Sequence, residues 1–261
     1  MRQPASSSTG GMRRDRAGAA GNARKEPAPP ARTSAEARAR GIAAAIARLP
    51  QFRAVPRQDL DRVARVVRAL ECARGEAVAR RGDPVPGMLA VTHGLVKLSL
   101  RGGIGAERVL RLVGPSQAFG EMELFLRRPL PVDAVAVSDT RLLVIPEAPL
   151  LALIDRDPHF ARSLVANLCE RMYALVCDFE ATTMHGACER LAHYLDSLAT
   201  SPGATRVLLP AAKKLIAARL GMTKETFSRA LRELIQAGLI SASGRNVALL
   251  DRARLGQVGR T

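Results

Sequence analysis

The sequence predicts an α+β chain: an antiparallel sandwich or barrel, then one long amphipathic helix, then a helix-turn-helix with a small hairpin. Three observations predict this. Between residues 76 and 146, short apolar–polar alternations are punctuated by turn signals at Arg81-Gly82-Asp83-Pro84, Arg101-Gly102-Gly103 and Gly114-Pro115, the texture of short antiparallel strands rather than βαβ units. In DPHFARSLVANLCERMYALVCDFEATTM (157–184), Val165, Leu168, Met172, Leu175, Phe179 and Thr182 recur at alternating steps of three and four, a heptad seam. In GMTKETFSRALRELIQAGLI (221–240), one face is evenly apolar while Thr223, Lys224, Glu225, Thr226, Ser228 and Arg229 crowd the other.

Taken in order, residues 1–40 are rich in Ala, Gly, Ser, Pro and Arg and nearly lack large apolar side chains. Such a segment buries too little to offset its chain entropy, so a disordered basic tail is expected. GIAAAIARLPQF (41–52) and DLDRVARVVRAL (59–70) have helical spacing. EAVAR (76–80), MLAVTHGLVKLSLR (88–101), AERVLRLV (106–113) and VDAVAVSDTRLLVIP (132–146) alternate as strands, so the first domain is placed at 41–150.

The long helix is assigned to 151–184. Its apolar stripe is narrower than that of a helix lying on its own domain, which favours a second copy of the chain as the occupant, with Val165, Leu168, Met172, Leu175 and Phe179 as the dimer seam. CERLAHYLDSLA (188–199) opens the last domain, 185–255. LPAAKKLIAARL (209–220) and TKETFSRALRELIQAG (223–238) flank Gly221, with Thr223 placed to cap the second helix, and LISAS and VALLD form a hairpin about Gly244-Arg245-Asn246.

Two helices separated by a three-residue break containing Gly have the helix-turn-helix layout, whose second helix enters the major groove of DNA. Arg229 can donate two bonds to guanine, Glu225 can accept from cytosine N4, and Ser228 is small enough for close approach. Glu225 and Arg229 also stand four residues apart, able to orient one another. Thr223, Lys224, Lys213, Lys214, Arg232 and Arg245 are candidate DNA contacts, the cations setting position on the phosphates. The charge agrees, with 40 Lys+Arg against 24 Asp+Glu and a formal net charge of +16, an attraction for polyanions.

Other classes find little support. No Gly-rich phosphate loop, HExxH, GxSxG or Cys–His constellation occurs, so neither catalysis nor a metal site is expected. No uncharged apolar run is long enough to span a bilayer, and the N-terminus lacks the apolar core of a secretory signal, so no membrane partner and a cytoplasmic location are expected. Cys72, Cys169, Cys177 and Cys188 are widely spaced, the pattern of a reducing compartment rather than a disulfide framework. The competing reading is a winged helix that binds a partner protein without reading DNA.

HGLVKLSL, GAERVLRLVGPSQAFGEMELFLRRPLPVDAVAV and LPAAKKLIAARLGMTKETFSRALRELIQAGLI resemble the CRP/FNR superfamily of bacterial transcription regulators, over about residues 45–252. That resemblance implies an N-terminal β-roll of the cyclic-nucleotide-binding jelly-roll type, a long dimerisation helix and a C-terminal winged helix-turn-helix. It also implies a homodimer acting on double-stranded DNA, with RNA polymerase as a further partner. Glu225-x-x-Ser228-Arg229 resembles the E-x-x-S-R recognition pattern of the FNR-like branch, which implies an inverted TTGAT-like site. Gly120, Glu121 and Leu124 fall where the family places its effector pocket. Cyclic-nucleotide-binding members carry Arg-Ser or Arg-Thr for the cyclic phosphate about ten residues beyond Gly-Glu. Here that place reads Leu130-Pro131-Val132-Asp133-Ala134, so no functional cAMP binding is expected. The N-terminal cysteines of the iron–sulfur members are absent from residues 1–71, so no cluster is expected. FGEMELFLRRPLPVDAVAV is most similar to the denitrification-regulator (Dnr/NnrR-like) branch. That likeness implies sensing of nitric oxide, redox or anaerobic conditions, with haem as the cofactor and His93, His159, His185 or His193 as candidate ligands, none selected by spacing.

Overall fold

A computed structural model describes residues 31–102, 107–199, 201 and 203–258. Helix α1 spans Ala31–Ile46 and α2 Arg57–Ala64, with a 3-10 turn at Pro50–Phe52 between them. The expected disordered tail is therefore corrected over 31–40, where an Ala-rich run continues the helix that seats Ala43 and Ile46 in the core. Residues 1–30 lie outside the described residues. The second expected helix stops at Ala64, because Arg68–Cys72 forms strand β1 instead.

The strands that follow are β2 (Ala77–Ala79), β3 (Met88–His93), β4 (Val96–Arg101), β5 (Glu107–Val113), β6 (Gln117–Phe119), β7 (Asp133–Ala136) and β8 (Thr140–Ile145). Helix α3 (Glu121–Leu126) lies between β6 and β7. They form two antiparallel four-stranded sheets, ordered β1-β8-β3-β6 and β2-β7-β4-β5. Two of the expected strands are each divided between the sheets. MLAVTHGLVKLSLR breaks at Gly94, whose φ is +85° and where a Cβ would strike the Asp139 carbonyl and Thr140. The chain opposite turns at 137–139, and the two corners are tied by Val137 N–H to Leu95 O at 2.7 Å and Leu95 N–H to Thr140 Oγ1 at 3.2 Å.

Period-two alternation explains why β3 and β8 are buried on both faces. Leu89, Val91, Leu142 and Val144 point between the sheets, while Met88, Ala90, Leu143 and Ile145 point into a helical layer. That layer holds α1, α2, helix α4 (Glu147–Arg156) and the start of helix α5 (Pro158–Met184), with Phe52 against Phe160 at 5.0 Å between ring centroids. The long helix does not begin at 151: α4 belongs to the first core through Leu150 and Leu153, and Asp157 caps α5 by accepting from His159 N–H at 2.9 Å.

The last domain contains α6 (Ala187–Ser197), β9 (Arg206–Leu208), α7 (Lys213–Arg219), α8 (Lys224–Gln236), β10 (Ile240–Ser243), β11 (Asn246–Leu249) and α9 (Arg252–Val258). The sheet order β10-β11-β9 adds a strand to the expected hairpin. Leu255 of α9 is fully buried, so the domain extends past residue 255. Among the described residues, no helix is long and apolar enough to cross a membrane.

Candidate nucleic-acid interface

Helix α8 carries its apolar residues on one side: Phe227, Ala230, Leu231 and Leu234 are buried against α6, α7 and the small sheet. Gly221, with φ +66°, makes the break after α7, and Thr223 begins α8 by accepting from Thr226 N–H at 3.2 Å. The opposite side is open. Lys224, Glu225, Arg229 and Arg232 are exposed, and Ser228 is half-buried with its hydroxyl donating to Lys224 O at 2.9 Å. The three candidate base readers thus share the exposed edge of the first two turns.

Glu225 and Arg229 form no ion pair. Glu225 turns back toward the helix start, where its own N–H and then the Thr223 hydroxyl hold its carboxyl below the usual glutamate range. Arg229 keeps its fork clear of that carboxylate, so the mutual orientation suggested by four-residue spacing is not the arrangement found. Lys213 and Lys214 open α7, half-buried and exposed respectively. Arg245 is partly committed: its Nε donates to Leu209 O at 2.7 Å while Leu209 N–H donates back to Arg245 O at 2.9 Å, bracing the hairpin against the segment before α7. Arg232 likewise donates from Nε to Ser228 O at 3.3 Å.

On α5, Val165, Met172 and Phe179 are exposed, Phe179 by 70 %. Leu168 is not on that stripe. It packs on the first core with Phe160 and Leu164, so the open stripe runs Val165, Met172, Val176, Phe179, with Leu175 at its edge. The helix serves its own domain at its start and presents apolar surface thereafter.

Gly120, Glu121 and Leu124, the residues expected around the effector site, are all buried. Gly120, with φ +91°, turns the chain into α3, and Leu124 is buried in the helical core. Glu121 is almost wholly buried and accepts from Arg171 Nη2 of α5 at 2.7 Å. Arg111 stands beside them, bonded to Ala118 O at 3.0 Å, and burial together with the Arg171 charge pushes it down to about 10. Asp133 accepts from Arg81 N–H at 3.0 Å and pairs with Arg101 at 3.1 Å.

The four candidate haem ligands do not converge, and of the four His159 lines a pocket of about 380 Å³ with Arg156 and Asp157. His93, His159 and His193 are exposed on three separate elements, and His185 ends α5. A cavity of about 390 Å³ between β5, α5 and α7 has no histidine in its lining. Among the described residues, no three His, Cys, Asp or Glu side chains gather to hold a metal ion.

Comparison with known proteins agrees with both halves. Residues 69–157 match the cyclic nucleotide-binding domain family, and residues 189–258 the Crp-like helix-turn-helix domain family. The chain is 31% identical over 185 residues to the cyclic AMP receptor protein of Thermus thermophilus, covering 71% of this chain and 85% of that one. The chain belongs to the CRP/FNR family of transcription regulators. A second CRP/FNR relative, the CRP-like cAMP-activated global transcriptional regulator of Mycobacterium tuberculosis, is 26% identical over 223 residues, 82% of this chain and 98% of its own. The fold matches that of FixK2 from Bradyrhizobium japonicum, with a TM-score of 0.65 at 24% identity over 74% of this chain and 97% of that one. As a CRP/FNR-type regulator the chain is a DNA-binding protein, and α7 and α8 lie within the matched helix-turn-helix domain.

Sequence reasoning missed β1, β6, α3, β9 and α9. RALEC carries no alternation to mark it as β1, and its strand character comes from pairing with β8. The Glu121–Arg171 pair was also missed, since two residues 50 positions apart leave no local signal.

Proposed function

We propose that the protein is an effector-responsive, homodimeric transcription regulator whose two α8 helices read an inverted, TTGAT-like repeat. The observation that carries this reading is the exposed edge of α8, where Glu225, Ser228 and Arg229 stand clear of the core with no ion pair between the acid and the arginine. Two such helices, held by the α5 stripe, would meet adjacent major grooves about 34 Å apart. RNA polymerase is the proposed further partner, and the cytoplasm the proposed location.

The proposed signal is nitric oxide, redox state or anaerobiosis, not cAMP. What supports excluding cAMP is the charge around the family's nucleotide site. Glu121 is already held by Arg171, and residues 130–134 carry no cation for a cyclic phosphate, while Asp133 is itself paired with Arg101. No step is assigned to haem, because the four histidines stand on separate parts of the chain.

Arg229→Ala tests the reading. Specific DNA affinity should fall by about 1–3 kcal/mol, as for loss of a bidentate base contact, with the dimer unchanged. If the variant bound the same sites as tightly in a competition assay, a partner-protein role for the winged helix would replace base reading.

A further inference from the structure

The reading domain is attached to α5 through His185 and Gly186, whose extended backbone interrupts the helix before α6. A two-residue break permits many settings of the domain it carries, so non-covalent contacts choose among them. Those contacts gather at the end of α7. Arg219, in its last turn, donates from Nη2 to Asp178 Oδ2 of α5 at 2.5 Å, with both side chains half-buried. Arg108 of β5, itself half-exposed, lies against Gly221, where a Cβ would fall on its guanidinium.

The place of contact matters more than its area. Gly221 stands two residues before Thr223, the cap that starts α8. The sensor therefore holds the reader at the turn from which the base-reading edge departs. Charge makes this hold depend on one acid. Burial and then Arg219 depress the Arg108 guanidinium, Asp178 opposes them, and Arg190 of α6 adds to the depression. Without Asp178, arginines from both domains would face one another as uncompensated like charges.

We propose that Asp178 and Arg108 are positioning residues for DNA recognition: from the sensor they hold the α7–α8 turn and fix the setting in which α8 is presented. The role in recognition rests on the regulator reading; the hold itself rests on the contacts.

Double electron–electron resonance on the full chain tests the hold. Nitroxides are attached through Gln58→Cys on α2 and Gln236→Cys on α8, both exposed positions. Cys72, Cys169, Cys177 and Cys188 are replaced by alanine, and labelled chain is diluted in unlabelled chain. One narrow distance is expected. Asp178→Asn should broaden it, and the swapped pair Asp178→Arg with Arg219→Asp should narrow it again. The hold is overturned if the distance is broad before any substitution, if Asp178→Asn leaves it narrow, or if the swapped pair stays broad. Arg219→Gln breaks the same ion pair, should also broaden the distance, and is the check should Asp178→Asn fold poorly. Recognition is measured separately, by gel shift on inverted repeats whose spacer is changed by one base pair. That change should weaken the unsubstituted chain by about tenfold, the scale of one mismatched base pair, and Asp178→Asn should lose most of this discrimination at unchanged affinity for random duplex. Broadened distances with discrimination intact would overturn the positioning role. A chain that binds no inverted repeat would sink the regulator reading, and the distances alone would then decide the hold.

Discussion

Thr223 sets both where α8 starts and how Glu225 is held. Its hydroxyl oxygen accepts from Thr226 N–H, and the same group lowers the Glu225 carboxyl. Thr223→Ala should lower stability by about 1 kcal/mol in urea unfolding, the usual cost of a lost cap, and weaken specific DNA binding by loosening the first turn. Because Glu225 is held below its ordinary range, it stays ionised into mild acid. Its contribution to base reading should be flat from about pH 8 to pH 6, and a loss of affinity in that window that vanishes in Glu225→Gln would contradict this. Glu123 has the opposite sign. Burial, and then Glu121, raise its carboxyl, so the folded state keeps the proton longer than the unfolded chain. Its favourable share is full below the ordinary glutamate range and lost as pH rises through the raised folded value. Glu123→Gln should therefore stabilise the protein near neutrality and lose that advantage as the medium is acidified, compared by urea midpoints.

At the scale of elements, α5 is joined to the β-roll by one buried ion pair. Arg171→Met strands the Glu121 carboxylate in the core and should cost about 3–5 kcal/mol, while adding Glu121→Gln should return much of it, since replacing both partners removes the stranded charge. In the proposed dimer the stripe further along is covered by a second copy: Met172→Glu should shift the protein to monomer in sedimentation at a little-changed fold, because Met172 is exposed in the single chain. These elements also show what can be seen in a sequence. The α7–α8 pair was legible because each helix carries its own periodicity, with Gly221 and Thr223 marking the ends. The division of MLAVTHGLVKLSLR at Gly94 was not, since it depends on a corner formed with Asp139 and Thr140 far along the chain. Leu168 fits the heptad by spacing, yet it turns inward because Phe160 and Leu164 fix that face of α5 on the first core.

On the scale of the whole molecule, the sensor and reader are packed through β5 and α7. Leu112 reaches the reader's core and Arg108 lies against Gly221, where a Cβ would run into its guanidinium. The net charge of +16 adds a salt-sensitive attraction to any duplex, so specificity is read as a ratio over non-specific sites at fixed salt. Footprinting of the purified full-length protein on genomic fragments tests the account most directly. Protection of two inverted TTGAT-like half-sites, centred one helical turn apart, is the expected result. Fragments that show no protected inverted motif under any redox or metabolite condition would contradict it.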